Sequence, residues 1–319
     1  MYQSTLRRWL ALALIIIPLA LHPLFWRYAL LPDVFMLHAA LSCGFIGLTQ
    51  CAPTRAWHVY QLAIVFALGM ANHQTFIFLM PSALWYACSF RHPKRFLTLF
   101  FAVILSAISC FALYASLLFL NVDALPSWGR LISLSDLTAH ILRADYGTFR
   151  LSPRDIPPGG LRHSLQCMLD ILRAGPFMVA IISYAAVALW SHRRSYTVQR
   201  IYISGVSLLG YLTIFLPRTN TTHSGVLERF YLFPLVWVAY LSAMSLNAIF
   251  SYGSCLRIAR KHLAAACAVS VGLAALHWTV HHTALNLRHG TIVEDYAINL
   301  LGSMSQDKPS ILVVHGDTR

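Results

Sequence analysis

The chain has 319 residues, of which 58% are apolar and only 11% charged, less than half the roughly 25% usual in soluble domains. Its mean hydropathy is +0.62. These values exclude a disordered chain, an ordinary soluble enzyme and, despite a net charge of +13, a domain built to bind nucleic acid. They define an all-α polytopic membrane protein. A spanning helix needs about 20 mostly apolar residues, and nine runs qualify, at about 9–25, 29–48, 57–71, 75–90, 97–120, 174–190, 201–217, 230–250 and 262–280. The start, with Arg7 and Arg8 before an apolar run, has no small-residue cleavage site and is expected to remain as the first helix.

The third and fourth runs form one apolar stretch over 57–90. As a single helix it would be about 51 Å long against a hydrocarbon core of about 30 Å. Asn72-His73-Gln74 interrupts it at the midpoint, which predicts two short helices joined by a tight turn. With nine spans the charges sort by side. Arg7, Arg8, Arg55, Arg91, Lys94, Arg95, Arg193, Arg194, Arg200, Arg257, Arg260 and Lys261 fall at one set of ends with no acid among them, and all eleven acids fall at the other. Lys and Arg in short loops mark the cytoplasmic side, so the N-terminus is expected inside and the C-terminal segment 281–319 outside. The seven cysteines form no Cys-x-x-Cys pair and mostly lie in apolar runs, as small buried hydrophobes do.

The longest stretch between spans, 121–173, is external on this threading. Leu134, Leu137, Ile141 and Leu142 follow helical spacing, as do Leu161, Leu165, Met168, Leu169 and Leu172, which predicts two interfacial helices. Between them lies Arg143-Ala144-Asp145-Tyr146-Gly147-Thr148-Phe149. Three more polar points fall at external helix ends: Asp33 after Phe25-Trp26-Arg27, His73 flanked by Asn72 and Gln74, and Glu228-Arg229 before Phe230-Tyr231. Polar groups near a bilayer are costly and mark functional sites, so one external cavity ringed by Asp33, His73, Asp145, Glu228 and Arg229 is expected. Carboxylates there suit a general base or cation binding. Arg143, Arg229 and His73 suit a phosphate, because guanidinium gives paired charge-assisted hydrogen bonds. Trp26, Tyr146, Phe149 and Tyr231 offer flat apolar faces to a sugar ring or an isoprenoid chain, or form the aromatic belt of any membrane protein. No metal-ligand pattern, Walker loop or internal repeat is present, and nothing calls for a cofactor.

The residues Phe25-Trp26 with Asp33-Val34, Leu68-Gly69 with Asn72-His73-Gln74-Thr75, the Arg143–Phe149 segment, Glu228-Arg229-Phe230, and Tyr296-Ala297 with Asn299-Leu300-Leu301 resemble, in order and spacing, the domain-of-unknown-function 2723 family. Its animal member is the transmembrane-protein-260 type of protein O-mannosyltransferase. The resemblance implies a GT-C bundle, in which membrane helices take a sugar from a polyprenyl-phosphate carrier and pass it to a protein or glycan acceptor at the external face. It implies a multi-pass protein of a bacterial inner membrane or the endoplasmic reticulum. Asp145 or Asp33 would serve acid–base chemistry or acceptor positioning, Arg143 and Arg229 would hold carrier phosphate, and His73 phosphate or sugar. Asn72 and Tyr146 would bind beside them, with Glu228 orienting Arg229. The family's first external loop, with its Asp-x-Gly-Glu motif, and the span before it have no counterpart here, and 281–319 resembles the opening of the family's external C-terminal domain. A non-catalytic membrane subunit and a lipid-linked solute transporter are the alternatives. A transporter should show midplane polar residues and internal repeats, and neither is present.

Overall fold

The computed structural model describes residues 17, 19–29, 34–51, 53–119, 131, 133–142, 144, 159–174, 182, 192, 194–219, 228–252 and a few positions between 268 and 282. In chain order these give α1 (Pro23–Ala29), α2 (Val34–Thr49), α3 (Ala56–Asn72), a 3-10 turn (Gln74–Leu79), α4 (Met80–Ser89), α5 (Arg95–Phe119), α6 (Leu134–Ile141), α7 (Leu161–Ala174), α8 (Tyr196–Gly210) and α9 (Leu232–Tyr252). Among the described residues there is no strand. The first, sixth and ninth expected spans and the C-terminal segment lie largely or wholly outside the described residues.

Among the described residues, three helices are long and apolar enough to cross a membrane. They are Arg95–Phe119 with 25 residues, Tyr196–Arg218 with 23 and Arg229–Ala248 with 20. The second continues α8 through one π turn and a 3-10 turn to Arg218, and the third joins a 3-10 turn at Arg229–Tyr231 to α9. Helices α1 and α2 pass the same test together as a bent pair.

Burial sorts these helices by position. The body of α9 is apolar on every side and most of it is buried, with Trp237 and Leu235 fully enclosed. A helix apolar all round belongs in an interior. It packs against α2 and α8, and α3 packs between α2 and α5. By contrast, α5 exposes Phe96, Phe100, Phe101, Val103, Ile108 and Phe111 along its outer face. Such a continuous apolar face is far larger than soluble monomers leave open, and hydrocarbon is its natural solvent.

The stretch 57–90 is two limbs rather than one helix. Helix α3 stops where His73 turns extended (φ −157°, ψ 127°), its N–H still held by the Gly69 carbonyl. The chain restarts at once in the 3-10 turn, and Pro81 in the first turn of α4 sits where a missing N–H costs nothing. The far ends of the two limbs meet, where the Arg91 N–H donates to the Pro53 carbonyl at 2.9 Å. Their lengths match, at about 25 Å for the 17 residues of α3 and about 27 Å for the return through the 3-10 turn and α4. Gly69 makes the closure possible, because the Phe76 ring lies where any Cβ at that position would be. Phe76 is itself fully buried, edge-on to Phe45 and Phe66.

This geometry predicts a labelling result. In a background with the native cysteines replaced by serine, Arg55→Cys and Lys94→Cys should both react with a membrane-impermeant maleimide from the same side of sealed vesicles. Labelling from opposite sides would mean that 57–90 crosses once and that the hairpin is wrong.

Candidate functional site

The turn at the tip of the hairpin is tied to three other parts of the chain. Asn72 donates its side-chain amide to the Val34 carbonyl, at 3.0 Å, at the first residue of α2. Gln74 donates its amide to the Ile141 carbonyl at the end of α6. Between them the His73 ring rests against Phe35 (ring centroids 5.0 Å apart) and Phe230 (6.1 Å). Phe35 and Phe230 are themselves in edge contact at 5.1 Å.

His73 continues into a short polar chain that enters the helix bundle. Its Nδ1 accepts from the Thr75 N–H and lies 2.7 Å from the Thr75 hydroxyl. That hydroxyl in turn lies 3.3 Å from Nε2 of His38, a buried residue one turn inside α2. With Nδ1 of His73 an acceptor, the Thr75 hydroxyl donates to it and accepts from His38 Nε2–H. The proton of His73 is then on Nε2. Among the described residues His38 Nδ1 is buried with no hydrogen-bonding partner, a cost of about 1–3 kcal/mol that the surrounding rings of Phe76 and Phe233 must offset.

Arg229 joins the same aromatic cluster. Its guanidinium carbon lies 5.2 Å from the centre of the Phe35 ring and 5.5 Å from that of Phe230, the rings that flank His73. Cation–π contact of this kind contributes about 0.5–2 kcal/mol, increasing with desolvation, and fixes the plane of the cation. Tyr211 donates its hydroxyl to the Phe230 carbonyl at 2.9 Å, which holds the start of this segment against the end of α8. The carboxylate of Glu228 forms an ion pair with Arg27 of α1. Its structural partner is therefore Arg27, where the sequence suggested Arg229. Both side chains of that pair are partly exposed, so it contributes at most about 1 kcal/mol to stability and acts chiefly to position α1.

The structure thus brings Asn72, His73, Glu228 and Arg229 to one end of the bundle, beside the first residue of α2. Asp33, Arg143, Asp145 and Tyr146 lie outside the described residues, as does Phe149. Val34, next to Asp33, and Ile141, two residues before Arg143, carry the carbonyls held by Asn72 and Gln74. Of the other aromatics, Trp26 is partly open beside Trp278 at 5.1 Å, whereas Tyr231 is buried and presents no face to a ligand. Sequence reasoning missed His38, Thr75, Phe35 and Arg27. The available signal was spacing: His38 lies four residues after Val34, on the face of α2 that carries its first residue.

Helix α7 docks beside this end. Gly159 and Gly160 donate backbone N–H groups to the Thr219 and Pro217 carbonyls, both at 3.0 Å, and Gly160 takes a positive φ of 64° that suits glycine. His163 is buried, 2.9 Å from the Thr219 hydroxyl. The face packed on the protein is His163, Cys167 and Ile171, while Leu161, Leu165 and Leu169 point outward, as an interfacial helix with its leucines towards lipid would place them. Burial pushes the Cys167 thiol well above its usual range, so it stays a neutral packing group.

Comparison with protein-family models, with curated proteins and with solved structures finds no match to this chain.

Two measurements check this geometry. Thr75→Val keeps the side-chain shape and the backbone N–H to His73 Nδ1 but removes the hydroxyl that joins His73 Nδ1 to His38 Nε2. It should destabilise the detergent-solubilised protein by about 1–3 kcal/mol in thermal unfolding, with Thr75→Ser restoring most of the loss. The second concerns pH. Burial, helped by Arg162 and opposed by a Leu216 backbone bond, lowers the pKa of His163. The folded state therefore binds fewer protons than the unfolded state. The stabilisation is complete above the unfolded value of about 6.5 and is lost as pH falls through the lowered folded value. His163→Gln should flatten that acid limb of the stability profile, and an unchanged limb would show that His163 does not dock α7.

Proposed function

We propose that the chain is a membrane glycosyltransferase of GT-C type, with nine spans and its N-terminus in the cytoplasm. It takes a sugar, mannose being the family's precedent, from a polyprenyl-phosphate carrier and passes it to a protein hydroxyl or glycan at the external face. The observation that carries this reading is the hairpin tip, where His73 and Arg229 share the Phe35 and Phe230 rings at the bundle end opposite Arg55 and Arg91. A cation held beside aromatic rings at the membrane surface would suit a phosphate at headgroup depth with its isoprenoid chain in lipid. His73 rests on the same two rings, so a phosphate held by Arg229 would lie beside its imidazole. Both groups would favour departure of the carrier phosphate by stabilising its charge.

The general base must come from elsewhere. The three described carboxylates are engaged: Asp136 by Ser133 in a capping box, Asp170 by Gln166, and Glu228 by Arg27. The resemblance assigns proton removal from the acceptor hydroxyl to Asp145 or Asp33. The engagement of Glu228 also supports a second reading, a non-catalytic membrane subunit that binds a lipid-linked sugar without transferring it.

The test is transfer from a polyprenyl-phosphate sugar to a peptide acceptor by purified protein. Arg229→Ala and Asp145→Asn should each lower turnover by about 10²–10³, the usual cost of removing one positioned electrostatic group. An active wild type with neither variant impaired would refute the assignments. An inert wild type that still binds the carrier through Arg229 would select the subunit reading.

A further inference from the structure

We infer that the opposite end of the bundle carries a second site, a pocket for the phosphate group of an anionic membrane lipid. Four segments meet there, the end of α2, the start of α3, the end of α4 and the start of α8, around a cavity of about 670 Å³. Gln50, Thr54, Ser89, Arg91, Tyr196 and Arg200 provide its polar lining.

Arg200 is fixed in place before any ligand arrives. Its Nη1 donates to the backbone carbonyl of Gln50 at 3.2 Å and to the side-chain oxygen at 2.8 Å. Its guanidinium lies 4.0 Å from the centre of the Tyr196 ring and 5.8 Å from that of Trp85. Gln50 is braced in turn by its amide, which donates to the Tyr240 hydroxyl. Both Arg200 hydrogen bonds use Nη1, so Nη2 is available to an anion. Arg91, exposed at the rim, makes no side-chain hydrogen bond or ion pair among the described residues.

Two guanidinium groups at one cavity without a carboxylate among its lining residues form an unbalanced cationic site, and the sequence supplies no acid at this set of ends. The hydroxyls of Thr54 and Ser89 add neutral donors. The position selects the ligand. Trp85 and Tyr196 sit where aromatic belts meet headgroups, and Arg pockets between helices on the cytoplasmic side hold phosphorylated lipid heads. The volume lies within the roughly 300–1,000 Å³ of ligand pockets, room for an esterified phosphate together with its glycerol. This site is separate from the hairpin tip, so it does not depend on the transferase reading.

The test uses the full chain in neutral detergent and follows thermal unfolding with added phosphatidylglycerol, phosphatidylcholine or inorganic phosphate. Phosphatidylglycerol should raise the midpoint and phosphatidylcholine should not. Arg91→Gln should leave the lipid-free midpoint unchanged, because it keeps the backbone bond to Pro53 and the Arg91 side chain makes no hydrogen bond or ion pair among the described residues. It should also raise the phosphatidylglycerol concentration for half-maximal shift by about tenfold, the loss of one charge-assisted pair. Lys94→Gln, a basic neighbour outside the cavity, should behave as wild type. An equal shift with inorganic phosphate would assign the pocket to a soluble phosphate rather than a lipid. No shift with either anion, or the same loss in Lys94→Gln as in Arg91→Gln, would overturn the site.

Discussion

The turn at Asn72, His73 and Gln74 governs the arrangement of the rest. A chain that reverses at a membrane surface has backbone and side-chain polar groups to satisfy, and this one satisfies them on other helices. Asn72 holds the first turn of α2, Gln74 the last turn of α6, and His73 packs on Phe230 at the mouth of α9. Three elements far apart in sequence are thereby fixed around a single short turn. The same bonds bring His73 and Arg229 onto shared rings, so the contacts that close the fold at this end also compose the candidate site.

Away from the turn, the bilayer does the sorting that water does in a soluble protein. Helix α9 is central because it has no polar face to offer, and α5 is peripheral because its phenylalanines need lipid rather than protein. Polarity is left to the two ends, and they differ in kind. At the hairpin tip the one described carboxylate, Glu228, is matched by Arg27. At the other end no described carboxylate lines the cavity that Arg91 and Arg200 share. Among the described residues, that difference makes one end an aromatic and histidine cluster and the other an open cationic pocket.

Much of this was legible in the sequence. The break at His73 followed from arithmetic on length together with a polar triplet, and the Pro53–Arg91 bond shows the resulting hairpin. The helical leucine spacing of 134–142 and 161–172 located α6 and α7 closely. What the sequence did not reveal was which partner each polar group would choose. Glu228 adjoins Arg229 in the chain, yet a helix start points consecutive side chains apart, and Arg27 reaches it from α1. His38 looked like a lone histidine in an apolar helix. Only the tertiary register that places Thr75 within 3.3 Å gives it a role. In α7 the leucines were the visible signal, whereas the packed face is the less obvious His163, Cys167 and Ile171.

The closed hairpin also bears on how the chain enters a membrane. Between Arg55 and Arg91 there is no Asp, Glu, Lys or Arg, and the two ends of this stretch meet. On the proposed two-span threading only Asn72, His73 and Gln74 would reach the far surface, avoiding the roughly 2.5–3.5 kcal/mol that each Lys, Arg or Asp at the centre of a helix would add. Neither limb would be a strong insertion signal alone, since both are short. Joined at the close approach of Gly69 and Phe76, they would on that threading enter as one neutral unit, tip first.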